Sequence, residues 1–233
     1  MNAVAEATDL TYPESDGKPL ADNTLQWDWV VRIVSELREQ FAGQQVFVAG
    51  DLFWYPVREN SRIVAAPDAL IAVGRPPGYR SSYRQWEEAN VSPQVVFEVL
   101  SPSNTEKEMQ GKFVFYEKYG VEEYYVIDPD QPTASGHIRE EGRLVPITRL
   151  NGFVSPRLGI RFELLSNEVQ LFTPAGREFQ DRTERVRDIE EELRRTNRAF
   201  EDERLRAIEA DRRAETYREK LREMGIDPDQ LES

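Results

Sequence analysis

Residues 95 to 100 read Val-Val-Phe-Glu-Val-Leu, an apolar run of β-branched and aromatic residues with the pattern of a buried strand. Glu98 stands in the middle of it. An ionised carboxylate in such a place costs several kcal/mol or more unless something pairs with it. The fold must therefore bury this strand and also supply a partner for Glu98.

The segments around the strand set the fold class. Leu25, Trp29, Val30, Ile33, Val34, Leu37 and Phe41 recur at helical spacing, with Asp22 or Asn23 available as a cap and Gly43 as a stop. Val46 to Val57 reads as a strand, with a turn at Glu59-Asn60-Ser61. Ile63 to Val73 is a second extended stretch, in which Pro67 marks an edge or an irregular start. Gly74 to Pro93 reads as a long polar loop, and Thr105 to Tyr119 as a helix closed by Gly120. Glu122 to Ile127 is a further strand. Short strands follow around 137–139, 144–147, 160–164 and 169–172. Helix, strands, helix and strand with a β extension make a mixed α/β domain.

Composition changes near residue 180. The stretch from there to Gly225 is dominated by Arg, Glu and Asp and has no Pro or Gly before its end, the composition of one long helix. A heptad threads through it. Val186, Leu193, Phe200, Ala207, Ala214 and Leu221 fall on one set of positions. Ile189, Thr196, Glu203, Ala210, Tyr217 and Met224 fall on the other. A coiled coil and a solvated single helix held by charge pairs four residues apart both fit this pattern. The expected organisation is a flexible segment over 1–19, a mixed α/β domain over 20–178, a charged helix over 179–225 and a flexible tail over 226–233.

The chain of 233 residues has no cysteine and a single histidine, His137. Disulfides and thiolate metal sites are excluded, and any metal must be held mainly by oxygen. No apolar run is long enough to span a membrane, so a cytoplasmic protein is expected. A net charge of -13 counts against tight, non-specific nucleic-acid binding, which draws on phosphate neutralisation. It is compatible with an enzyme whose bound cations offset part of the charge.

Two acidic residues lie in extended apolar surroundings: Asp68 in Ala-Ala-Pro-Asp-Ala-Leu, and Glu98. If their strands share a sheet, both carboxylates reach one edge of it. A pair of carboxylates without histidine or thiolate suits Mg²⁺ or Mn²⁺. Lys107, Lys112 and Lys118 on the next helix offer a cation, and Lys112 lies one turn from Tyr116, so it can reach that edge while its stem covers apolar surface. Each residue also has an ordinary structural reading: Asp68 as a turn residue after proline, Lys112 as a solvated helix position, Asp128 as a strand-ending turn, His137 as a packed ring. Tyr79, Tyr83 and Trp86 in the arginine-bearing loop fit either base stacking or packing against the core.

Together these pieces carry a resemblance. Pro67-Asp68, Phe97 through Ser103, Lys112 with Tyr116 and Gly120-Val121, and Glu123 through Asp128 resemble the Uma-type restriction endonuclease family of the PD-(D/E)XK nuclease superfamily, over about residues 20 to 175. The resemblance implies a restriction endonuclease-like mixed central sheet with flanking helices, and a Mg²⁺- or Mn²⁺-dependent endonuclease acting on DNA. It makes Asp68 and Glu98 the metal-binding acids, helped by the backbone carbonyl of Val99, with Asp51 a further candidate ligand. The superfamily lysine position, two residues after Glu98, is occupied by Leu100, so the catalytic lysine is expected to come from the helix, as Lys112. A homodimer, joined through the C-terminal helix, is the expected assembly. The rival reading is a catalytically weak nuclease-fold protein that serves as an oligomeric interaction module.

Overall fold

The computed structural model describes residues 11–15, 17, 21–180 and 182–225. The segments expected to be flexible, 1–19 and 226–233, lie outside the described residues apart from 11–15 and 17. The chain divides into two compact units, the first running to Asp181 and the second beginning at Arg182. No described helix is long and apolar enough to cross a membrane.

The first unit opens with α1 (Thr24–Gln40). The Asn23 side chain caps it by accepting from the Gln26 amide. Its buried stripe is Gln26, Trp29, Val30, Ile33, Val34 and Leu37. Leu25, read from the sequence as part of that stripe, is exposed. Gln26 takes the inward position because it has buried polar partners, described below.

Six strands make the central sheet: β1 (Val46–Ala49), β3 (Ala69–Val73), β5 (Val95–Val99), β6 (Glu123–Asp128), β7 (Thr133–Glu140) and β8 (Arg143–Pro146), side by side in the order β1-β3-β5-β6-β7-β8. All neighbours are antiparallel except β5 and β6. A parallel pair needs a crossover. Here the crossover is α2 (Glu106–Lys118), capped by Thr105 and followed by Gly120 at φ +94°. Both faces of the sheet are covered, so its inner strands are near-continuous apolar runs. On one face Ile71, Val95, Phe97, Tyr125 and Ile127 pack on α1 and on the hairpin β9 (Arg161–Leu164) and β10 (Val169–Phe172). On the other, Phe47, Leu70, Val96 and Tyr124 meet Tyr116 of α2 and the Trp54 and Tyr83 side chains.

Two expected elements are differently built. The stretch from Val46 to Val57 is broken into β1 and a two-residue strand, β2 (Trp54–Tyr55). The break falls at Gly50-Asp51. A Cβ on Gly50 would sit 3.1 Å from Val34 Cγ2 and 3.2 Å from the Asp68 carbonyl, and Asp51 turns the chain at φ +46°. The expected loop 74–93 carries structure of its own: β4 (Tyr83–Arg84), parallel to β2, and a 3₁₀ turn over Gln85–Glu87. Tyr83 is fully buried with its hydroxyl donating to the Val91 carbonyl, and Trp86 packs on Tyr12. The loop aromatics thus mostly pack the protein itself, and Tyr79 alone of the three stands in solvent, 92% exposed.

The second unit is α3 (Arg182–Glu223), 42 residues without an interior Gly or Pro. Glu190–Arg194, Glu191–Arg195 and Glu209–Arg213 pair across one turn. The acid precedes the base each time, the favourable orientation.

A second buried acid ties a turn to the central sheet. Glu123, 1% exposed, accepts from the Tyr125 and Ser155 hydroxyls and from the Arg157 amide at 2.7 Å. It ties the 155–158 turn to β6. Glu123→Ala leaves these donors buried without a partner, and should lower stability to urea by about 2–4 kcal/mol. A loss below 0.5 kcal/mol would mean that water replaces the carboxylate.

Candidate active site

The ends of three elements meet where β3 begins and β5 ends. Antiparallel pairing of Ala69 with Phe97 places Asp68 beside Glu98 and Val99. Asp68 Oδ2 accepts the Val99 amide at 2.6 Å. Glu98 alternates away from Phe97 and Val99, so it faces α2 rather than α1. One turn of α2 supplies both of its partners: Lys112 Nζ lies 2.7 Å from Glu98 Oε2, and the Tyr116 hydroxyl donates to Oε1. Glu98 is 1% exposed, and Tyr116 is fully buried, stacked on Trp54.

The electrostatics follow from burial and from the closeness of two acids. Burial, reinforced by the Asp68 carboxylate, pushes the Glu98 carboxyl up to about 8, against the pull of the Lys112 ammonium and of the hydrogen bonds from Lys112 and Tyr116. Burial also raises Asp68, although Lys112, the Val99 amide and a hydrogen bond with Glu98 hold it down. Burial works against the Lys112 charge, but Glu98 and Asp68 outweigh it and raise its pKa. Near neutral pH Glu98 therefore keeps its proton beside the Lys112 ammonium. Burial keeps the Tyr116 hydroxyl protonated, as a donor.

The structure brings Asp68, Glu98, Lys112 and the Val99 peptide into one cluster. Asp51 is near through its backbone: its amide donates to the carbonyls of Pro67 at 3.1 Å and Asp68 at 3.3 Å. Among the described residues no group of three or more His, Cys, Asp or Glu side chains is gathered for a metal. The donors present are two carboxylates and a carbonyl. They suit a hard cation that keeps several of its waters. Leu100, the residue after β5, is tied to the neighbouring strand, its amide donating to Ile127 O at 2.8 Å. Asp128 closes a turn by accepting the amides of Asp130 and Gln131. His137 packs on Phe113 and Tyr124, and burial lowers its pKa, so the ring is neutral.

Sequence reasoning missed the residues that hold the Val99 peptide from the other side. Gln26 Nε2 donates to the Val99 carbonyl at 2.9 Å, while its Oε1 accepts the Asp22 amide. Asp22 in turn accepts from Ser101 and Ser103. The signal was available: a glutamine one turn before Trp29 and Val30, on the stripe that faces the core.

A family model described as "Uma2: Putative restriction endonuclease" matches residues 7–166. A solved structure similar to the chain is that of "a putative nuclease belonging to DUF820 from Anabaena variabilis ATCC 29413", 17% identical with a TM-score of 0.44, over 60% of this chain and 74% of that one. No curated protein matches.

The raised Glu98 pKa makes stability depend on pH. Between its ordinary value of 4.5 and about 8 the folded protein keeps a proton that the unfolded chain has released. Without divalent metal, stability should therefore fall as pH rises across that window. Glu98→Gln, whose amide oxygen can still accept from Lys112 while its NH2 faces the Tyr116 oxygen, does not titrate and should flatten most of the slope in urea melts at pH 5, 6.5 and 8. Equal slopes in the two proteins would place the titrating group elsewhere.

Proposed function

The chain belongs to the Uma2 family, and from that membership we propose that it is a Mg²⁺- or Mn²⁺-dependent endonuclease that hydrolyses DNA phosphodiester bonds through Asp68, Glu98 and Lys112. The observation that carries the reading is the buried Glu98, held by Lys112 and Tyr116 with Asp68 against it. Few structural roles call for two adjacent carboxyls and a lysine in an apolar sheet, whereas perturbed acids at a strand end mark functional sites.

Asp68, Glu98 and the Val99 carbonyl would hold the cation. When bound it supplies positive charge toward a phosphoryl oxygen and acidifies water. The protein's own groups do the positioning. Tyr116 fixes one Glu98 oxygen, and the Val99 peptide is pinned by Asp68 on its amide and by Gln26 on its carbonyl. A carbonyl has a second lone pair, so the Gln26 bond leaves it able to coordinate. Lys112, 2.7 Å from Glu98, would orient the attacking water and offset charge on the scissile phosphate. Water attacks phosphorus, the bond to one ester oxygen breaks, and that oxygen takes up a proton. The reading also includes a homodimer and a cytoplasmic location.

The test is cleavage of plasmid DNA with Mg²⁺ or Mn²⁺. Asp68→Asn and Glu98→Gln should remove activity and most of the metal-induced rise in melting temperature. Lys112→Met should lower turnover by about 10²-fold or more, the scale of one lost electrostatic contact, with metal affinity little changed. Lys107→Met should have a much smaller effect. Full activity in Glu98→Gln would sink the proposal, and equal losses for the two lysines would make them general phosphate contacts.

A further inference from the structure

The apolar stripe of α3 has no cover among the described residues. Val186, Ile189, Leu193, Phe200 and Tyr217 are all exposed, Phe200 at 66% and Tyr217 at 65%. They fall on the two heptad positions that form a coiled-coil seam. Leu205 and Ile208, also exposed, lie off that seam. We propose that the stripe is covered by α3 of a second copy of this chain, running antiparallel.

Self-pairing is favoured by the balance of charge along the helix. Basic and acidic residues are equal in number over 182–223, so two copies meet without net repulsion. The direction follows from which residues would face each other. In a parallel pair each seam residue faces itself. Phe200 would meet Phe200, while Ala207, Ala210 and Ala214 would each meet alanine. One half of the seam would be overfilled and the other half empty, although the spacing between two helix axes depends on the side chains at each contact. Glu203 would face Glu203, two like charges across the seam, and Arg213 would flank Arg218.

The antiparallel pair removes these conflicts. The one register that overlaps the seam completely sets Phe200 against Ala210, Thr196 against Ala214 and Leu193 against Tyr217, so the bulky Phe200 meets a small residue instead of itself and no layer of the seam pairs alanine with alanine. Glu203 then faces Ala207, whose neighbour Arg206 is within reach of the carboxylate. At the flanking positions Glu190 meets Arg218 and Glu192 meets Lys220, opposite charges that occur twice by symmetry. The like-charge contacts that remain, Arg204 and Arg206 near the two-fold axis, sit beside the two Glu203 side chains. The pairing carries the first residues of the two helices to opposite ends.

This inference is independent of the nuclease reading and survives its failure. The chain has no cysteine, so introduced thiols are the only ones present. Full-length Glu203→Cys and Ala207→Cys proteins, one carrying a mass tag, are mixed and exchanged in a thiol redox buffer, then oxidised. The antiparallel pair gives the mixed disulfide as the main product, with little self-linked dimer from either variant alone. Self-linked dimers of each variant without the mixed product would mean a parallel pair and overturn the orientation. Light scattering on the unmodified chain should show a dimer at micromolar concentration, with Leu193→Glu raising its dissociation constant at least tenfold. A monomer throughout that range, or a dimer unmoved by Leu193→Glu, would overturn the interface.

Discussion

The burial of Glu98 constrains the rest of the first unit. A carboxyl at 1% exposure needs partners at hydrogen-bond distance, and a strand covered on both faces can obtain them only from a covering layer. That layer exists because β5 and β6 are parallel. Their connection must cross the sheet, and the crossing helix lays Lys112 and Tyr116 over Glu98. Topology and chemistry are the same event here. A hairpin connection between β5 and β6 would leave the acid without either partner.

Rigidity at the site comes from one residue, Val99. The Val99 amide is held by Asp68 and its carbonyl by Gln26, so the start of α1, the start of β3 and the end of β5 are tied within a single residue. Asp51 adds a further tie, donating to the carbonyls that flank the Asp68 nitrogen. Groups held in this way keep their geometry when charge moves nearby, as preorganised sites require. The loop that follows is clamped as well: Asp22 gathers Ser101 and Ser103, and the Ser101 amide donates to Asn104 Oδ1.

Much of the architecture was legible because burial on two faces writes itself as long apolar runs. The mixed sheet follows from those runs, the two flanking helices from apolar residues at helical spacing and the stops at Gly43 and Gly120, and the long terminal helix from a charged composition without Pro or Gly. The closeness of Asp68, Glu98 and Lys112 was legible because an acid in an apolar strand and a lysine one turn from a tyrosine are both unusual. What escaped reading depends on contacts distant in sequence. β4 is two residues long and exists only because β2 lies alongside it, which no local pattern encodes. Gln26 looks like a polar interruption of the α1 stripe until its bond to Val99, 73 residues away, is known. Leu25 reads as inward by hydropathy, yet Gln26 takes that position because its amide has buried partners and Leu25 has none.

Acid and base balance along α3, so the acidity of the chain lies outside that helix. Within the first unit the arginines of the 74–88 loop are already engaged. Arg75 and Arg80 both bond Glu88, which they hold below the usual carboxylate range, and Arg80 also covers the Phe47 ring. They form an internal clamp rather than a basic face, and the loop offers a polyanion little net attraction. Lys112 is likewise matched by Glu98. A phosphodiester approaching this edge would meet two carboxyls and one neutralised lysine, which is repulsive or at best indifferent. On the proposed reading, a divalent cation held by Asp68 and Glu98 would change the sign, adding positive charge at one end of an otherwise acidic unit and loosening the hold of Glu98 on Lys112. Such a cation would then serve substrate binding as well as chemistry.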